Sequence, residues 1–156
     1  MISRAEYEHH LYWMKKAIAL SEIAGQSGEI PVGAIIVDAH NRLLAQSGNR
    51  KEKTQDPTAH AEVLAIRAAS QQRHDWHLND CTLYVTLEPC PMCAGAIIHA
   101  RLKTVVYGAD DPKTGVLRSV ANFPDSPFSN HCLQVIGGIA GADCRALLQN
   151  WFMRSR

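Results

Sequence analysis

The segment 82–107 restricts the possible folds of this chain more than any other part of the sequence. An apolar run at 82–87 predicts a strand, the stretch 91–101 predicts a helix, and the run 104–107 predicts a second strand. Because the return from the helix is so short, the two strands should be parallel and the crossover between them right-handed. The sequence therefore predicts an α/β fold.

The residues before this segment predict a helix and a pair of strands. The first helix should end near Gly25. Its predicted apolar face consists of Tyr7, Leu11, Met14 and Ile18. The runs 31–37 and 43–45 predict two strands, which should pair antiparallel because the turn between them is short. A polar loop then leads to Asp56, which we expect to cap a helix whose first residue is Pro57.

A further strand and a final helix complete the predicted domain. Residues 133–136 form the last apolar run, and a helix follows them. The apolar face predicted for that helix consists of Leu147, Leu148, Trp151 and Phe152. Strands that alternate with helices are typical of a sheet covered on both sides, so we expect a three-layer α/β/α sandwich with a mixed sheet of about five strands. No repeat or linker divides the sequence, and residues 1–156 should form one domain.

Composition limits the class of protein and the compartment. Hydrophobic residues make up 46% of the chain and charged residues 20%, which is ordinary for a globular domain. No apolar run approaches the ~18 residues of a membrane span, and the start of the chain has no secretory-type stretch. Five cysteines do not suggest a disulfide framework, so we expect the reducing cytoplasm. A net charge of +1 argues against coating long nucleic acid but allows a local grip on a small loop.

Two short motifs, each at the predicted start of a helix, contain residues that bind metals. His60 and Glu62 belong to the first motif, and Cys90 and Cys93 belong to the second. Side chains in a first helical turn tilt back towards the N-terminus, so both motifs can point beyond their helix ends. The helix N-terminus also favours the thiolate form of cysteine. Two thiolates and one imidazole suit zinc and leave its fourth position for water, which is the pattern of a catalytic site.

Glu62 gives this predicted zinc site a second chemical function. A carboxylate beside an activated water molecule can accept its proton and deliver it to a ring nitrogen and a departing amine. The alternative is a structural zinc site, which would need a fourth protein ligand such as Cys81 or His77.

Longer stretches resemble the cytidine deaminase superfamily and, within it, the bacterial tRNA-specific adenosine deaminases. The motifs that carry the resemblance are Gly48-Asn49-Arg50, residues 56–62 (DPTAHAE), residues 82–95 (TLYVTLEPCPMCAG), Lys113-Thr114-Gly115 and Asn130-His131. The resemblance implies a cytidine-deaminase-like fold, one zinc ion per subunit and a homodimer. It also implies hydrolytic deamination of adenosine to inosine at the wobble position of a tRNA anticodon.

The resemblance also implies a role for each matching residue. His60, Cys90 and Cys93 would bind zinc, and Glu62 would act as the proton shuttle. Asn49 would hydrogen-bond the extruded base. The other implied substrate-binding residues are Pro31, Val32 and Ala61 around the base, Asp111 and Lys113 at the anticodon loop, and Asn130 in the substrate pocket.

Two other functions are compatible with these motifs. A zinc-dependent deaminase of a free base or nucleoside, such as guanine or cytosine, would use the same site on a smaller substrate. A non-catalytic RNA-binding module with structural zinc would need the metal but not Glu62. The carboxylate therefore favours an enzyme over a binding module.

Overall fold

A mixed sheet of five strands lies at the centre of the computed structural model, which describes residues 1–155. Arg156, the last residue of the predicted domain, lies outside the described residues. The elements in chain order are α1 Arg4–Gln26, β1 Gly33–Val37, β2 Leu43–Gly48, α2 Lys51–Thr54, α3 Ala61–Arg73, β3 Thr82–Leu87, α4 Pro91–His99, β4 Thr104–Ala109, β5 Gln134–Ile136 and α5 Gly141–Arg154.

The strands follow the order β2-β1-β3-β4-β5 across the sheet. Strand β1 pairs antiparallel with both β2 and β3, whereas β3, β4 and β5 are parallel. The structure thus confirms the antiparallel first pair and the parallel strands on either side of the 91–101 helix. The sheet is mixed, as predicted.

Helices cover both faces of the sheet, which confirms the three-layer arrangement. On one face, Ile36 and Leu83 pack with small residues of α3 and with Ile97 of α4. On the other face, Ile35 and Tyr84 pack with α1 and with α5. Adjacent strand residues serve opposite faces because side chains alternate along a strand. The two hydrophobic cores are therefore separated by the sheet.

The buried face of α1 includes Met14 and the partly buried Ile18, as predicted, but not Tyr7. Ser3 and Glu6 form a capping box at its start, and Tyr7, which was expected in the core, is 40% exposed. The buried residues of α1 are Trp13, Met14, Ala17, Ser21 and Ala24. Small side chains dominate this set because α1 approaches β1 so closely that a Cβ at Gly33 would clash with the carbonyl oxygen of Ala17.

The start of α3 was predicted wrongly, by four residues. Asp56 does not cap a helix at Pro57, because its Oδ1 accepts hydrogen bonds from the backbone and hydroxyl of Thr58, at 2.8 and 2.7 Å, and closes a turn. The helix begins at Ala61, directly after His60. This shift makes His60 the cap residue, with an extended backbone, so its side chain lies at the helix entrance.

The predicted apolar face of α5 is only half-buried. Cys144 is its one buried residue within the described range, and Phe152 is 46% exposed. Trp151 still fastens α5 to α1, because its Nε1 donates a hydrogen bond to the carbonyl of Gly25 at 3.1 Å. None of the helices within residues 1–155 has both the length and the apolar character that a membrane span requires.

Replacement of Gly33 by alanine should destabilise the fold strongly. The new Cβ would overlap the Ala17 carbonyl and lie 2.9 Å from the Ser21 nitrogen, so α1 would have to move off the sheet. We expect the free energy of unfolding to fall by about 3 kcal/mol. Urea denaturation followed by circular dichroism would measure this, with exposed Gln46→Ala on β2 as control. Equal stability of the two variants would contradict the close approach.

Candidate active site

The starts of α3 and α4 meet at one point, where three side chains converge. His60 immediately precedes α3, and Cys90 immediately precedes α4, which Pro91 then begins. The Nδ1 atom of His60 lies 3.6 Å from the Sγ of Cys90 and 3.4 Å from the Sγ of Cys93. These atoms lie close enough together to bind one metal ion. The structure thus brings together the three predicted metal ligands.

The electrostatics of the cluster favour a thiolate at one of its two cysteines, Cys90. A hydrogen bond from Cys93 to Cys90, together with one from His60, lowers the pKa of the Cys90 thiol to about 4. The same hydrogen bond between the two cysteine side chains, together with burial, raises the pKa of Cys93. The hydrogen bond with Cys90 raises the pKa of His60. A thiolate is thus already stable here, at a helix N-terminus whose dipole favours negative charge.

The donor set fits zinc with one coordination position open. Imidazole nitrogen and thiolate sulfur are ordinary zinc ligands, and three protein ligands are typical of catalytic sites. Among residues 1–155 the cluster has no fourth His, Cys, Asp or Glu ligand. Cys81 instead contacts Arg73 at 3.0 Å, and His77 pairs with Asp75 at 2.8 Å. The four-ligand structural site therefore lacks the two residues proposed to complete it.

Glu62 is buried beside this cluster, in the first turn of α3. Only 4% of the residue is exposed, and its carboxylate lies near Cys93. Burial raises the pKa of Glu62 to about 7. A carboxyl group with such a pKa can both accept and return a proton near neutral pH. The position and the burial of Glu62 suit the predicted proton shuttle.

A cavity of about 170 Å³ opens onto the cluster. Its polar wall includes Asn49, His60 and Glu62, and its apolar wall includes Val32 and Leu87. Pockets for drug-sized ligands are about 300–1,000 Å³, so this space suits a single nucleobase better than a whole nucleotide.

A larger cavity, of about 620 Å³, lies between α1 and α5. It does not adjoin the His60 cluster. Pro31 lines this larger cavity and not the smaller one, although both neighbours of Pro31 in the chain line the smaller one. Of the two residues predicted to shape the base pocket from this segment, Val32 therefore lines the smaller cavity and Pro31 does not.

Asn49 links the end of β2 to the entrance of α3. Its Oδ1 accepts a hydrogen bond from the backbone of Ala61 at 2.8 Å, and its Nδ2 donates one to the carbonyl of Ile30 at 3.2 Å. Asn49 is 7% exposed and lines the cavity. The side chain is therefore held in a fixed orientation. Ala61 is fully buried beneath the pocket.

The remaining predicted substrate residues lie at different distances from the pocket. Asp111 lines the cavity, and Lys113 is exposed in the same loop, where its backbone donates to the Asp111 carboxylate at 2.9 Å. Asn130 does not lie at the pocket. It is exposed at the opposite end of α4, where its Oδ1 accepts a hydrogen bond from Arg101 at 3.0 Å. The prediction that places Asn130 in the pocket is corrected for a single chain, because α4 separates it from His60.

Sequence reasoning did not assign a role to Glu88, which also lines the cavity. Burial alone would raise the pKa of this carboxyl, but hydrogen bonds from Ser119, Asp111 and Arg118 hold it below its usual value. The sequence signals were its position at the end of a buried strand, two residues before Cys90, and its place in the 82–95 motif.

Comparison with known proteins agrees with this geometry. A family model described as MafB19-like deaminase matches residues 8–137. The tRNA-specific adenosine deaminase of Haemophilus influenzae is 41% identical over 153 residues, which cover 98% of this chain and 87% of the relative. The chain belongs to the tRNA-specific adenosine deaminase family.

Two solved structures resemble this family member over most of its length. One comes from a study of A-to-I editing by tRNA:A34 deaminases at the wobble position of transfer RNA. It has a TM-score of 0.84 and 40% identity, and the match covers 87% of this chain and 98% of that chain. The other, a guanine deaminase from Bacillus subtilis, has a TM-score of 0.60 and 40% identity over 70% of this chain and 66% of that chain. The first comparison confirms the cytidine-deaminase-like fold.

Zinc binding should depend on the three clustered ligands only. We expect about one zinc ion per purified wild-type chain and almost none after His60→Ala or Cys93→Ser, since two ligands bind zinc weakly. Cys81→Ala and His77→Ala should retain the metal, because neither side chain reaches the cluster. Metal analysis by mass spectrometry, with circular dichroism to verify folding, checks both expectations. Loss of zinc from Cys81→Ala would support the structural-site alternative.

Proposed function

We propose that this protein hydrolyses adenosine to inosine at the wobble position of a tRNA anticodon. The observation that carries the proposal is the burial of Glu62 beside a three-ligand metal cluster, at a cavity of nucleobase size. The similarity to tRNA-specific adenosine deaminases over nearly the whole chain supports the same substrate. A buried carboxylate at a structural metal would have no evident use, which argues against a non-catalytic module.

Zinc held by His60, Cys90 and Cys93 would make a water molecule acidic enough to lose a proton near neutral pH. Glu62 would accept that proton on its carboxylate and transfer it to N1 of the adenine ring. The oxygen would bond to C6, and Glu62 would then accept the remaining proton of that new hydroxyl group. The C6–N6 bond would break as Glu62 gives this second proton to N6. Water is consumed and ammonia is released, so the reaction needs no other reactant. The raised pKa of Glu62, about 7, suits both transfers.

The cavity would hold the base while nearby loops contact the RNA. An unpaired anticodon base can be extruded without opening a duplex, and Asn49 would hydrogen-bond its edge. Lys51 lines the cavity, and Arg50 and Lys53 flank it in the chain. These cations would meet phosphates, which fix the position of a strand without reading its sequence. The cytoplasm is the compartment that suits a tRNA enzyme with reduced thiol ligands.

A second candidate function is deamination of a free base. The 40% identity to a guanine deaminase over 70% of the chain favours considering it. The metal cluster and Glu62 would serve that reaction equally well. The two functions differ in what surrounds the base, since a free-base enzyme has no need for cations that contact phosphates.

Glu62 variants and two kinds of substrate test the proposed function together. We expect zinc-loaded protein to form inosine in an anticodon stem-loop with adenosine at the wobble position. Glu62→Ala and the matched Glu62→Gln should lower the rate by about 10²–10⁴-fold and keep their zinc, because only proton transfer is lost. Inosine would be measured by mass spectrometry. Undiminished activity in Glu62→Ala would rule out the mechanism, and turnover of free guanine but not the stem-loop would favour the second candidate.

We infer that the protein acts as a homodimer through the outer face of α4. Met92, Gly95, Ala96 and His99 form this face, at spacings that place them on one side of the helix. The segment 116–130 runs beside α4 and exposes Val120 (56%) and Phe128 (66%). An uncharged face with small residues allows a second helix to approach closely, and a two-fold axis would pair the same patch on both copies.

Gly95→Arg should separate the dimer into monomers without unfolding the chain. A Cβ at Gly95 meets no atom within 4 Å of it in a single chain, so the fold can accept a side chain there. A charged side chain would block the opposing helix. Light scattering after gel filtration gives the mass, with Gly95→Ala as the matched variant that should stay dimeric. A dimeric Gly95→Arg protein would exclude this face, and a monomeric wild type would exclude the dimer.

A further inference from the structure

Glu88 is a buried carboxylate that the proposed proton transfers do not use. It follows β3 directly and precedes Pro89 and Cys90, and only 1% of the residue is exposed. A buried carboxylate is unfavourable unless its oxygens accept hydrogen bonds. The partners that satisfy those oxygens therefore indicate the role of Glu88.

All hydrogen-bond partners of the Glu88 carboxylate belong to one loop, residues 111–119. The Oε1 atom accepts from the backbone nitrogens of Leu117, Arg118 and Ser119, at 3.1, 2.7 and 2.9 Å. The Oε2 atom accepts from the backbone of Asp111 at 3.0 Å and from the Ser119 hydroxyl. One carboxylate thus joins both ends of the loop, which have no strand pairing of their own.

The middle of the same loop is packed onto the carboxylate. A Cβ at Gly115 would overlap the Glu88 carboxylate, so the backbone there is in direct contact with it. The Gly115 nitrogen also donates to the Asp111 carbonyl at 3.0 Å, and the nitrogen of Val116 donates to the Pro89 carbonyl at 3.1 Å. The two ends and the middle of the loop therefore all contact residues 88–89.

This loop forms one edge of the substrate cavity. Asp111 and Thr114 line the cavity, as Asn49 does. The Asp111 carboxylate is occupied by its own turn, accepting from the nitrogens of Lys113 and Thr114 at 2.9 and 3.2 Å. The turn is rigid internally, so its position relative to the metal cluster depends on what holds it to the strand end. Glu88 provides that attachment.

We propose that Glu88 is a positioning residue for the substrate, which holds the 111–119 loop at the cavity edge and takes no part in proton transfer. The inference rests on the deaminase function proposed above. Without the carboxylate, four backbone N–H groups lose their acceptor and the loop should leave its position. Substrate binding should then weaken, while the metal cluster and Glu62 keep their geometry.

Glu88→Gln and Gly115→Ala disturb the same contact from opposite sides. Glutamine replaces an acceptor oxygen by a donor, and alanine at 115 pushes the loop away from an intact carboxylate. Each should raise KM for the anticodon stem-loop about tenfold, as expected when charged hydrogen bonds to a loop are lost. The kcat should change by no more than about twofold, since the chemical groups are untouched. Zinc content should equal that of wild type, and exposed Glu8→Gln is the matched control.

Hydrogen exchange of the amides tests the same proposal without activity. In Glu88→Gln the amides of Asp111, Leu117, Arg118 and Ser119 should lose protection, while those of β3 and β4 should keep it. A fall in kcat with KM unchanged would overturn the proposal, and so would loss of zinc or unaltered protection. If the wild type forms no inosine but Glu88→Gln still lowers the exchange protection of these amides, the proposed function fails. The attachment of the loop by Glu88 would then still be supported.

Discussion

The site depends on the convergence of two helix N-termini at one end of the sheet. The parallel crossover from β3 through α4 to β4 places the start of α4 at the carboxyl end of β3. Helix α3 packs on the same face, and its first residues reach the same point. Both helices begin without a side-chain cap, since His60 and Cys90 occupy the cap positions and point at each other. Each of these two side chains therefore faces the metal site instead of capping its own helix.

Buried polar side chains then hold the loops around that point. Asn49 ties the end of β2 to the entrance of α3. Glu29, itself buried, accepts hydrogen bonds from the backbones of Glu52 and Lys53 and so fixes α2, which begins with Lys51. Among the described residues, no buried side-chain nitrogen or oxygen lacks a partner. The buried polar groups around the cavity are therefore held in fixed positions by the protein itself.

The sequence was sufficient for the fold class and the metal ligands because both follow from local patterns. Strand runs and crossover length determine the pairing, and His60, Cys90 and Cys93 are recognisable by type and spacing. The start of α3 was misplaced because Asp56 has two local options, a helix cap or a turn with Thr58, and only the tertiary structure decides between them. The buried face of α1 was misjudged because Gly33 lies in another element, and its close approach selects small residues on the helix. Glu88 was missed because its partners lie 23–31 residues further along the chain.

The catalytic groups and the groups that would recognise the substrate are attached to different parts of the fold. The metal ligands and Glu62 are attached to long elements in the core, so their geometry follows from the packing of α3 and α4 on the sheet. The groups that would meet the substrate beyond its base, Lys51 and Asp111, lie on α2 and on the 111–119 loop, and a buried carboxylate helps to hold each of these segments. A change in either attachment would alter which substrate fits without altering the reaction. Similarity both to tRNA adenosine deaminases and to a guanine deaminase is what such a division would produce, since the same core would serve either substrate.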